Sequence, residues 1–330
     1  MVKCFLLRGL IFFFCCLISS VGYAQQRNFD DLLGVSFPNA KEGWVCGRWG
    51  VVLHTADEGI TWVRQNSGTD YSLTSISFVD AKNGWAVGDE GTIIHTEDGG
   101  TTWIKQKSPV PYYLMGVRFV SPMKGWIVTE RTHILHTENG GKTWKVQFHD
   151  QDYILKSVSF ANSQVGWTVG EYGFTYHTRD GGKTWKQQAG FYGISAETDE
   201  IEGGNFLFSV TAVSPQIAWA VGIDGHVTKT ADGGKTWEKV STKAPRTQLF
   251  CVAADKGGTI AIGGKGTFLV SKDDGKTWHF PRFDPSQTYG WLYGVASRGS
   301  LGFVAVGKDG FIYRADGSKI VTLWRQTVNK

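Results

Sequence analysis

Apolar and polar positions alternate along most of this chain in short runs that glycines separate. A clear example is LKSVSF at 155–160, which is followed by GWTVG at 166–170 and GFTYHT at 173–178. Alternation with a period of two between glycine-rich boundaries predicts β-strands, and no sustained helical period occurs after residue 24. The pattern therefore predicts an all-β fold built from short strands.

The same series of strands recurs along the chain, and each copy ends near a tryptophan. Trp62, Trp103, Trp144 and Trp185 are each 41 residues apart, with Trp237, Trp278 and Trp324 marking three further copies. Four short strands in a unit of about 40 residues are typical of a propeller blade. The sequence predicts a single seven-bladed β-propeller over residues 25–330, with four-stranded antiparallel blades that start near Leu32, Leu73, Leu114, Leu155, Leu207, Leu249 and Leu292.

Each copy also carries a turn motif before its last strand, such as TRDGGKTW at 178–185. An Asp side chain accepts hydrogen bonds from the backbone of such a turn, and glycine supplies a positive φ. A calcium loop needs several carboxylates for each ion, whereas most copies offer one, and a phosphate site needs a helix start after the glycines. We therefore predict a structural role, with no metal or cofactor, for Asp57, Asp98, Asn139, Asp180, Asp232, Asp273 and, in a degenerate seventh copy, Asp316.

The first 24 residues have the features of a secretory signal peptide. Lys3 and Arg8 precede an apolar run at 10–18, and small residues surround a cleavage point before Gln25. The run is too short for a membrane span, so we expect export to the periplasm or the extracellular space and no span after cleavage.

Composition adds two expectations for the exported chain. Removing Lys3 and Arg8 lowers the formal net charge from +4 to +2, which does not suggest a nucleic-acid partner. Cys46 and Cys251 remain, at non-equivalent positions in blades that are not neighbours, and are expected to be buried free thiols.

The motif S/T-x-D-x-G-x-T-W is the Asp box, or BNR repeat, of sialidases and related propellers. With seven blades that read GWxVG and HTxDGGxTW, the chain resembles the Ycf48/HCF136 family of photosystem II stability and assembly factors over residues 29–330. The resemblance implies a non-enzymatic factor, expected to be a monomer, that binds a membrane-protein client or complex subunit on the extracytoplasmic side. In a photosynthetic organism that side is the thylakoid lumen. The arginine-rich patch and lipid-attachment motif of photosynthetic members have no clear counterpart here.

A carbohydrate-active propeller, either a glycosidase or a lectin, is the alternative. The arginine triad and Arg-Ile-Pro segment of sialidases are not matched by 244–246 or 280–282. Other glycosidases need only two carboxylates, which are common in these loops, so this alternative stays open.

Function is expected on the face opposite the Asp boxes. There the connections between second and third strands, and those between blades, vary in charge and aromatic content while the repeat around them stays regular. Tyrosine, tryptophan and arginine are enriched at protein interfaces, although the aromatic residues can equally cover the bases of the loops. The candidate partner-binding residues are Arg48, Trp49, Glu130, Arg131, Glu171, Tyr172, Asp224, Lys265, Lys308, Tyr71, Tyr112, Tyr153 and Trp291, and Tyr289 stands beside the last of them.

One insertion breaks the 41-residue rhythm, at 186–206. It carries acidic residues beside Phe191 and Tyr192, namely Glu197, Asp199, Glu200 and Glu202. A solvated loop explains such a run, and its expected position on the same face makes it a candidate partner-contacting element.

Overall fold

Each repeat of the sequence folds into a small antiparallel sheet, and seven such sheets pack side by side into a closed ring. The structure is a computed structural model that describes residues 30–198, 200–284, 290–316 and 319–325. The predicted all-β, seven-bladed propeller is confirmed. The expected signal peptide, residues 1–24, lies outside the described residues.

Strands follow one another within each blade from the central channel outward. The innermost strands are β1 (Leu32–Ser36), β5 (Leu73–Phe78), β9 (Leu114–Phe119), β13 (Leu155–Phe160), β19 (Leu207–Ala212), β23 (Leu249–Ala254) and β27 (Leu292–Ser297). The second strands are β2 (Gly43–Gly47), β6 (Gly84–Gly88), β10 (Gly125–Thr129), β14 (Gly166–Gly170), β20 (Ala218–Gly222), β24 (Ile260–Gly264) and β28 (Phe303–Gly307).

The third strands are β3 (Val52–Thr55), β7 (Ile93–Thr96), β11 (Ile134–Thr137), β15 (Thr175–Thr178), β21 (Val227–Thr230), β25 (Thr267–Ser271) and β29 (Phe311–Asp316). The outermost strands are β4 (Val63–Gln65), β8 (Ile104–Gln106), β12 (Lys145–Phe148), β16 (Lys186–Ala189), β22 (Glu238–Lys239) and β30 (Lys319–Arg325). Single 3₁₀ turns join second and third strands at Arg48–Gly50, Asp89–Gly91, Glu130–Thr132, Glu171–Gly173, Ile223–Gly225 and Lys308–Gly310, and another lies at Gly299–Leu301.

Blades 6 and 7 depart from the four-stranded plan. Blade 6 has three strands, and its outer position is reduced to a bridge between Val270 and His279. The chain that follows forms β26 (Arg282–Asp284), which pairs in parallel with β30 and gives blade 7 a fifth strand. The insertion after blade 4 forms its own hairpin from β17 (Tyr192–Ile194) and β18 (Ile201–Gly203).

The hydrophobic core is divided into seven clusters, each between two neighbouring blades. The cluster that closes the ring joins Leu32 and Val45 of blade 1 to Val304 and Ile312 of blade 7. Each of these two blades takes its innermost-to-third strands from one continuous stretch, so closure rests on packing between blades rather than on an exchanged strand.

The tryptophan of each Gly-Trp pair packs between its own blade and the next one. Trp85 is fully buried and stacks on Phe119 of blade 3, with the ring centroids 3.5 Å apart. Its indole N–H donates to the Gly140 carbonyl in the turn of blade 3, at 3.1 Å. The glycine before it is required because a Cβ on Gly84 would lie 2.2 Å from the Phe78 ring.

The Asp-box turns satisfy their own polar groups. In blade 4, the Thr184 N–H donates to Asp180 Oδ1 at 2.9 Å and the Thr184 hydroxyl donates to Oδ2 at 2.7 Å. The Thr178 hydroxyl donates to Asp180 Oδ1 and accepts from the Gly182 N–H. The same arrangement recurs at Asp57, Asp98, Asp232 and Asp273, and at Asn139 the amide nitrogen donates to the threonine instead. These contacts account for the motif without any ligand.

The seventh copy differs, and the structural role predicted for Asp316 stays a prediction. Asp316 ends β29 and pairs with Lys319 at the start of β30, whereas the other turns leave their third strand before the Asp. In this copy eight residues separate the Asp from Trp324, instead of five as from Asp57 to Trp62. The pairing of β29 with β30 therefore continues as far as Asp316 and Lys319.

Candidate functional site

The connections between second and third strands lie around one mouth of the central channel, at the opposite ends of the strands from the Asp boxes. We call them, together with the connections between blades, the variable face. Six of them place a non-glycine residue at positive φ, namely Trp49, Glu90, Arg131, Tyr172, Asp224 and Asp309. Each turn is held by backbone contacts, such as the Glu171 N–H that donates to the Ile154 carbonyl at 2.9 Å. One backbone conformation therefore carries a different side chain in each blade.

Among the described residues, blade 1 presents the most exposed aromatic side chain of this face. Trp49 is 65% exposed. Arg48 beside it donates from Nε to Asp31 Oδ2 at 3.2 Å, and Asp31 Oδ1 accepts the Asp309 N–H of blade 7. Arg48 therefore also helps to close the ring, whereas Trp49 is open to a partner.

The two predicted glutamates, Glu130 and Glu171, accept hydrogen bonds from the backbone of their own blades. Glu130 Oε1 accepts the Tyr113 N–H at 3.2 Å, and Glu171 Oε2 accepts the Ile154 N–H at 3.0 Å. Both carboxylates tie the turn of a blade to the start of its innermost strand. They contribute charge to the face, but part of their hydrogen-bonding capacity is already used.

The remaining charged candidates differ in their surroundings. Asp224, Lys265 and Lys308 are exposed. Lys265 Nζ lies 5.1 Å from the ring centroid of Trp291, and the Arg131 guanidinium lies 5.0 Å from that of Tyr112. Cation–π contacts of this kind hold each cation over an aromatic ring.

The predicted tyrosines both cover loops and reach solvent. Tyr71 is 46% exposed, whereas Tyr153 is half-buried and stacks on Phe174 at 4.4 Å. Tyr289 lies outside the described residues.

The insertion joins the predicted residues of blade 4. Tyr192 in its hairpin lies 4.8 Å from Tyr172 and 5.8 Å from Tyr153, measured between ring centroids. Phe191 is 58% exposed beside them. The acidic residues Glu197, Glu200 and Glu202 are exposed, and Asp199 lies outside the described residues. The insertion thus extends the variable face beyond the channel.

The channel mouth on this face forms a cavity of about 440 Å³, and apart from Arg48 the sequence analysis missed its lining residues. They include the second residue of each innermost strand: Leu33, Thr74, Met115, Lys156, Phe208, Phe250 and Tyr293. The available signal was the position after the repeated leucine, which changes from blade to blade while its neighbours stay regular.

Aromatic residues of blades 5 to 7 form one continuous group at this mouth. Phe250 lies 5.3 Å from Phe208, 5.6 Å from Tyr293 and 5.9 Å from Trp291. We call these four residues the mouth patch. Lys156 of blade 4 and Arg48 of blade 1 flank it in the ring and also line the cavity.

Burial shifts the pKa values of ionisable side chains at the channel mouth. Burial lowers the pKa of Lys156, whose Nζ lies 3.7 Å from Met115 Sδ. Burial, together with the charge of Asp31, raises the pKa of Tyr293 to about 12. Burial and a hydrogen bond to Asp89 raise the pKa of Tyr113 to about 12. Both phenols therefore stay protonated at neutral pH, and the lining combines apolar surface with positive charge.

The described residues offer little for metal or acid–base chemistry. None that line the mouth cavity is Asp or Glu. No cluster of three or more His, Cys, Asp or Glu in the described part of the chain is placed to hold a metal ion. Cys46 and Cys251 are buried and unpaired, and burial raises the pKa of both thiols.

None of the helices within the described ranges has the length and apolar character that crossing a membrane requires.

Comparison with known families gives a match in the middle of the chain. The family described as photosynthesis system II assembly factor YCF48 matches residues 64–144 and 105–191, which together make up less than half of the chain. A search of curated protein sequences gives no significant match.

Solved structures share the fold at low identity. Ycf48 bound to a D1 peptide superposes with a TM-score of 0.69 at 20% identity, over 87% of this chain and 94% of that one. Ycf48 from Cyanidioschyzon merolae gives a TM-score of 0.69 at 21% identity, over 87% and 95%. The Niastella koreensis GH74 enzyme also gives 0.69, at 12% identity, over 89% of this chain but 54% of the enzyme. The blade count, the Asp boxes and the family match agree: the chain is an Asp-box β-propeller that resembles Ycf48.

Proposed function

We propose that this protein is an exported, non-enzymatic scaffold that assists the assembly of a membrane protein or complex. It holds an extracytoplasmic segment of its client against the variable face. The observation that carries this proposal is the mouth patch, an aromatic surface that two cations flank and that is formed where the side chains differ from blade to blade.

The chemistry of the mouth indicates the segment it accepts. An apolar side chain fits against Phe208, Phe250 and Tyr293, where burial of apolar surface supplies the affinity. Acidic groups beside that side chain meet Lys156 and Arg48, which steer the encounter and fix its register. The structure of Ycf48 with a D1 peptide is a precedent for peptide binding by a propeller of this kind.

A carbohydrate-active function is the second candidate, and the mouth patch also suits a sugar ring. The GH74 enzyme shares the fold, but at 12% identity the likeness extends no further. Glycoside hydrolysis requires a pair of carboxylates across the substrate. The described lining of the mouth cavity offers no Asp or Glu, which favours the scaffold.

The proposal is tested by purifying the tagged protein from gently solubilised membranes of the source organism and measuring which membrane proteins are recovered with it. The double variant Lys156→Gln, Phe250→Leu removes a cation and an aromatic ring from the mouth while leaving a polar and an apolar side chain in their places. Its matched control is Lys142→Gln, Ile60→Ala, which removes an exposed cation and an exposed apolar residue on the Asp-box face.

We expect the mouth variant to reduce recovery of a membrane-protein client by about tenfold, as loss of an interface anchor does, while the control does not. Equal recovery with both variants contradicts the assignment to the mouth. Turnover of a defined glycan by the purified protein contradicts the scaffold proposal itself.

A further inference from the structure

The other end of the channel, on the Asp-box face, forms a second chamber of about 1060 Å³, which meets the mouth cavity at a ring of shared lining residues that includes Val35 and Val158. The connections between first and second strands form its rim. Its walls carry many hydroxyl and amide groups, from Ser36, Asn39, Ser77, Asn162, Ser159 and Thr211 among others. This chamber differs from the aromatic mouth at the opposite end, and the proposed client site does not use it.

One residue breaks the regularity of the chamber wall. The fifth residue of the innermost strand is small in six blades and is an arginine in blade 3. In blade order these residues are Ser36, Ser77, Arg118, Ser159, Thr211, Ala253 and Ala296. All seven line the chamber, and the side chain of Arg118 is in contact with solvent within it.

The fold gains nothing evident from this arginine. At the equivalent position, Ser36 Oγ accepts the Phe78 N–H of the next blade at 3.0 Å, and Ser159 Oγ accepts the Ala212 N–H at 3.0 Å. Ser77 makes the same contact to Phe119 at 3.1 Å. Arg118 has no acceptor atom, so blade 3 forgoes this contact to blade 4.

The charge of Arg118 is also uncompensated. Among the described residues its guanidinium has no hydrogen-bond or ion-pair partner, and the surrounding ring of strands desolvates it enough to lower its pKa. Asp255 and Lys256, which are adjacent in sequence, also line the chamber and carry opposite formal charges. Arg298 directs its guanidinium to the carbonyls of Glu58 and Leu301. A cation without a counter-charge in an enclosed space is a favourable position for an anion.

The hydroxyl groups around it are ready to donate. The serine oxygens of this ring accept backbone N–H groups, and within the described residues their own protons have no acceptor. A guanidinium binds carboxylate and phosphate through two parallel hydrogen bonds, and hydroxyl donors nearby complete the shell of such a group.

We propose that this chamber binds a small anionic molecule. Arg118 holds its carboxylate or phosphate group, and the ring hydroxyls hold its other polar groups. The volume is at the upper end of that of small-molecule sites in proteins, and the ligand enters from the Asp-box face. The site is independent of the client-binding proposal, because it lies at the other end of the channel.

Isothermal titration calorimetry of the exported chain tests the proposal, with inorganic phosphate and citrate as probes at constant ionic strength. Arg118→Ser installs the residue that three other blades carry, and it should restore a hydroxyl acceptor for the Phe160 N–H. A thermal melt checks that this variant stays folded. Lys142→Ser is the matched control, because it removes the same charge from the same blade and face, outside the chamber.

We expect at least one of the two anions to bind with a stoichiometry of one. Arg118→Ser should weaken that binding by about tenfold or more, as the loss of a charge-assisted hydrogen bond does, and Lys142→Ser should leave it within about twofold. Absence of any binding heat at millimolar phosphate and citrate overturns the proposal. Equal affinity of the native chain and Arg118→Ser also overturns it.

Discussion

The two faces of this propeller are built from the same repeat and differ in what the repeat fixes. On the Asp-box face both backbone and side chains recur. The carboxylates of Asp180 and its equivalents accept hydrogen bonds from within their own turns. On the variable face only the backbone recurs, and the side chain at the tip is tryptophan, glutamate, arginine, tyrosine or aspartate according to the blade. We therefore expect the repeated positions to stabilise the fold and the variable positions to bind the client. Changes to the framework should alter stability, whereas changes at the tips should alter binding.

The largest effect is expected where the framework joins two blades. Trp85→Ala removes a fully buried indole together with its stacking on Phe119 and its hydrogen bond to Gly140. The free energy of unfolding should fall by about 3 to 5 kcal/mol, as for other large-to-small changes in cores. Urea denaturation measures this change, and a loss below about 1 kcal/mol is incompatible with a core role for this indole.

Acid should weaken the framework in two stages. His54, His95, His136 and His177 each stack on the tryptophan of the adjacent second strand, and burial lowers the pKa of all four. Burial, and then the charge of Arg179, lower the pKa of His177 from 6.5 to about 4. The unfolded chain therefore binds more protons in this range, so stability is complete above pH 6.5 and falls as the pH approaches 4, by about 1 to 3 kcal/mol for His177.

The second stage belongs to the Asp boxes. Hydrogen bonds from threonine lower the pKa of Asp98, Asp232 and Asp273 to about 2. Their contribution is present above the ordinary value of 3.8 and is lost as the pH falls towards 2. Urea denaturation at a series of pH values measures both stages. His177→Phe keeps an aromatic ring stacked on Trp167 and should reduce the loss of unfolding free energy between pH 6.5 and 4. An unchanged dependence on pH rules out His177 as a cause of that loss.

A smaller effect is expected for a single Asp-box turn. Asp180→Ala removes the acceptor of two hydrogen bonds from Thr184 and should lower the free energy of unfolding by about 0.5 to 2 kcal/mol, as for a lost cap. Asp180→Asn should lower it less, because Asn139 forms the same turn in blade 3. Thermal melts of both variants check the order. Client capture by the folded fraction of Asp180→Ala should be unchanged, and a loss of capture without a loss of stability would show that this turn binds the client.

The smallest effect on stability is expected at the tip of blade 1. Trp49→Ala removes a side chain that is 65% exposed, so the free energy of unfolding should change by no more than about 0.5 kcal/mol. Client capture should fall, because exposed tryptophan is a frequent interface anchor. A destabilisation as large as that of Trp85→Ala would contradict the prediction that residues at the tips contribute little to stability.

Much of the framework was predictable because its signals are local. The strand alternation and the Asp-Gly turns lie within a few residues of each other, and their repetition at a period of 41 indicates the blade count. The variable face was predictable from topology, since antiparallel strands place alternate connections on opposite faces. The pairing of β26 with β30 was not, because Arg282 and Lys319 are distant in sequence and share no pattern.

Arg118 and three of the four residues of the mouth patch, all but Trp291, were missed for a related reason. Phe208, Phe250 and Tyr293 come together only when the ring closes, and the alternation rule predicts the strand rather than the partner of each side chain across the channel. Glu130 and Glu171 were chosen for their charge, and only the structure places their carboxylates against backbone N–H groups. The signal that the sequence offered for Phe208, Phe250, Tyr293 and Arg118 was the variation at equivalent positions of the innermost strands.

Site-specific photo-crosslinking in intact cells of the source organism tests the separation of the two faces most directly. A photoreactive residue is placed at Trp49 or Lys265 on the variable face, and at Ile60 or Lys142 on the Asp-box face, all of them exposed. The account predicts crosslinks to a membrane-protein client from the first pair and none from the second. Crosslinks to the client from Ile60 and Lys142, with none from Trp49 and Lys265, would contradict it.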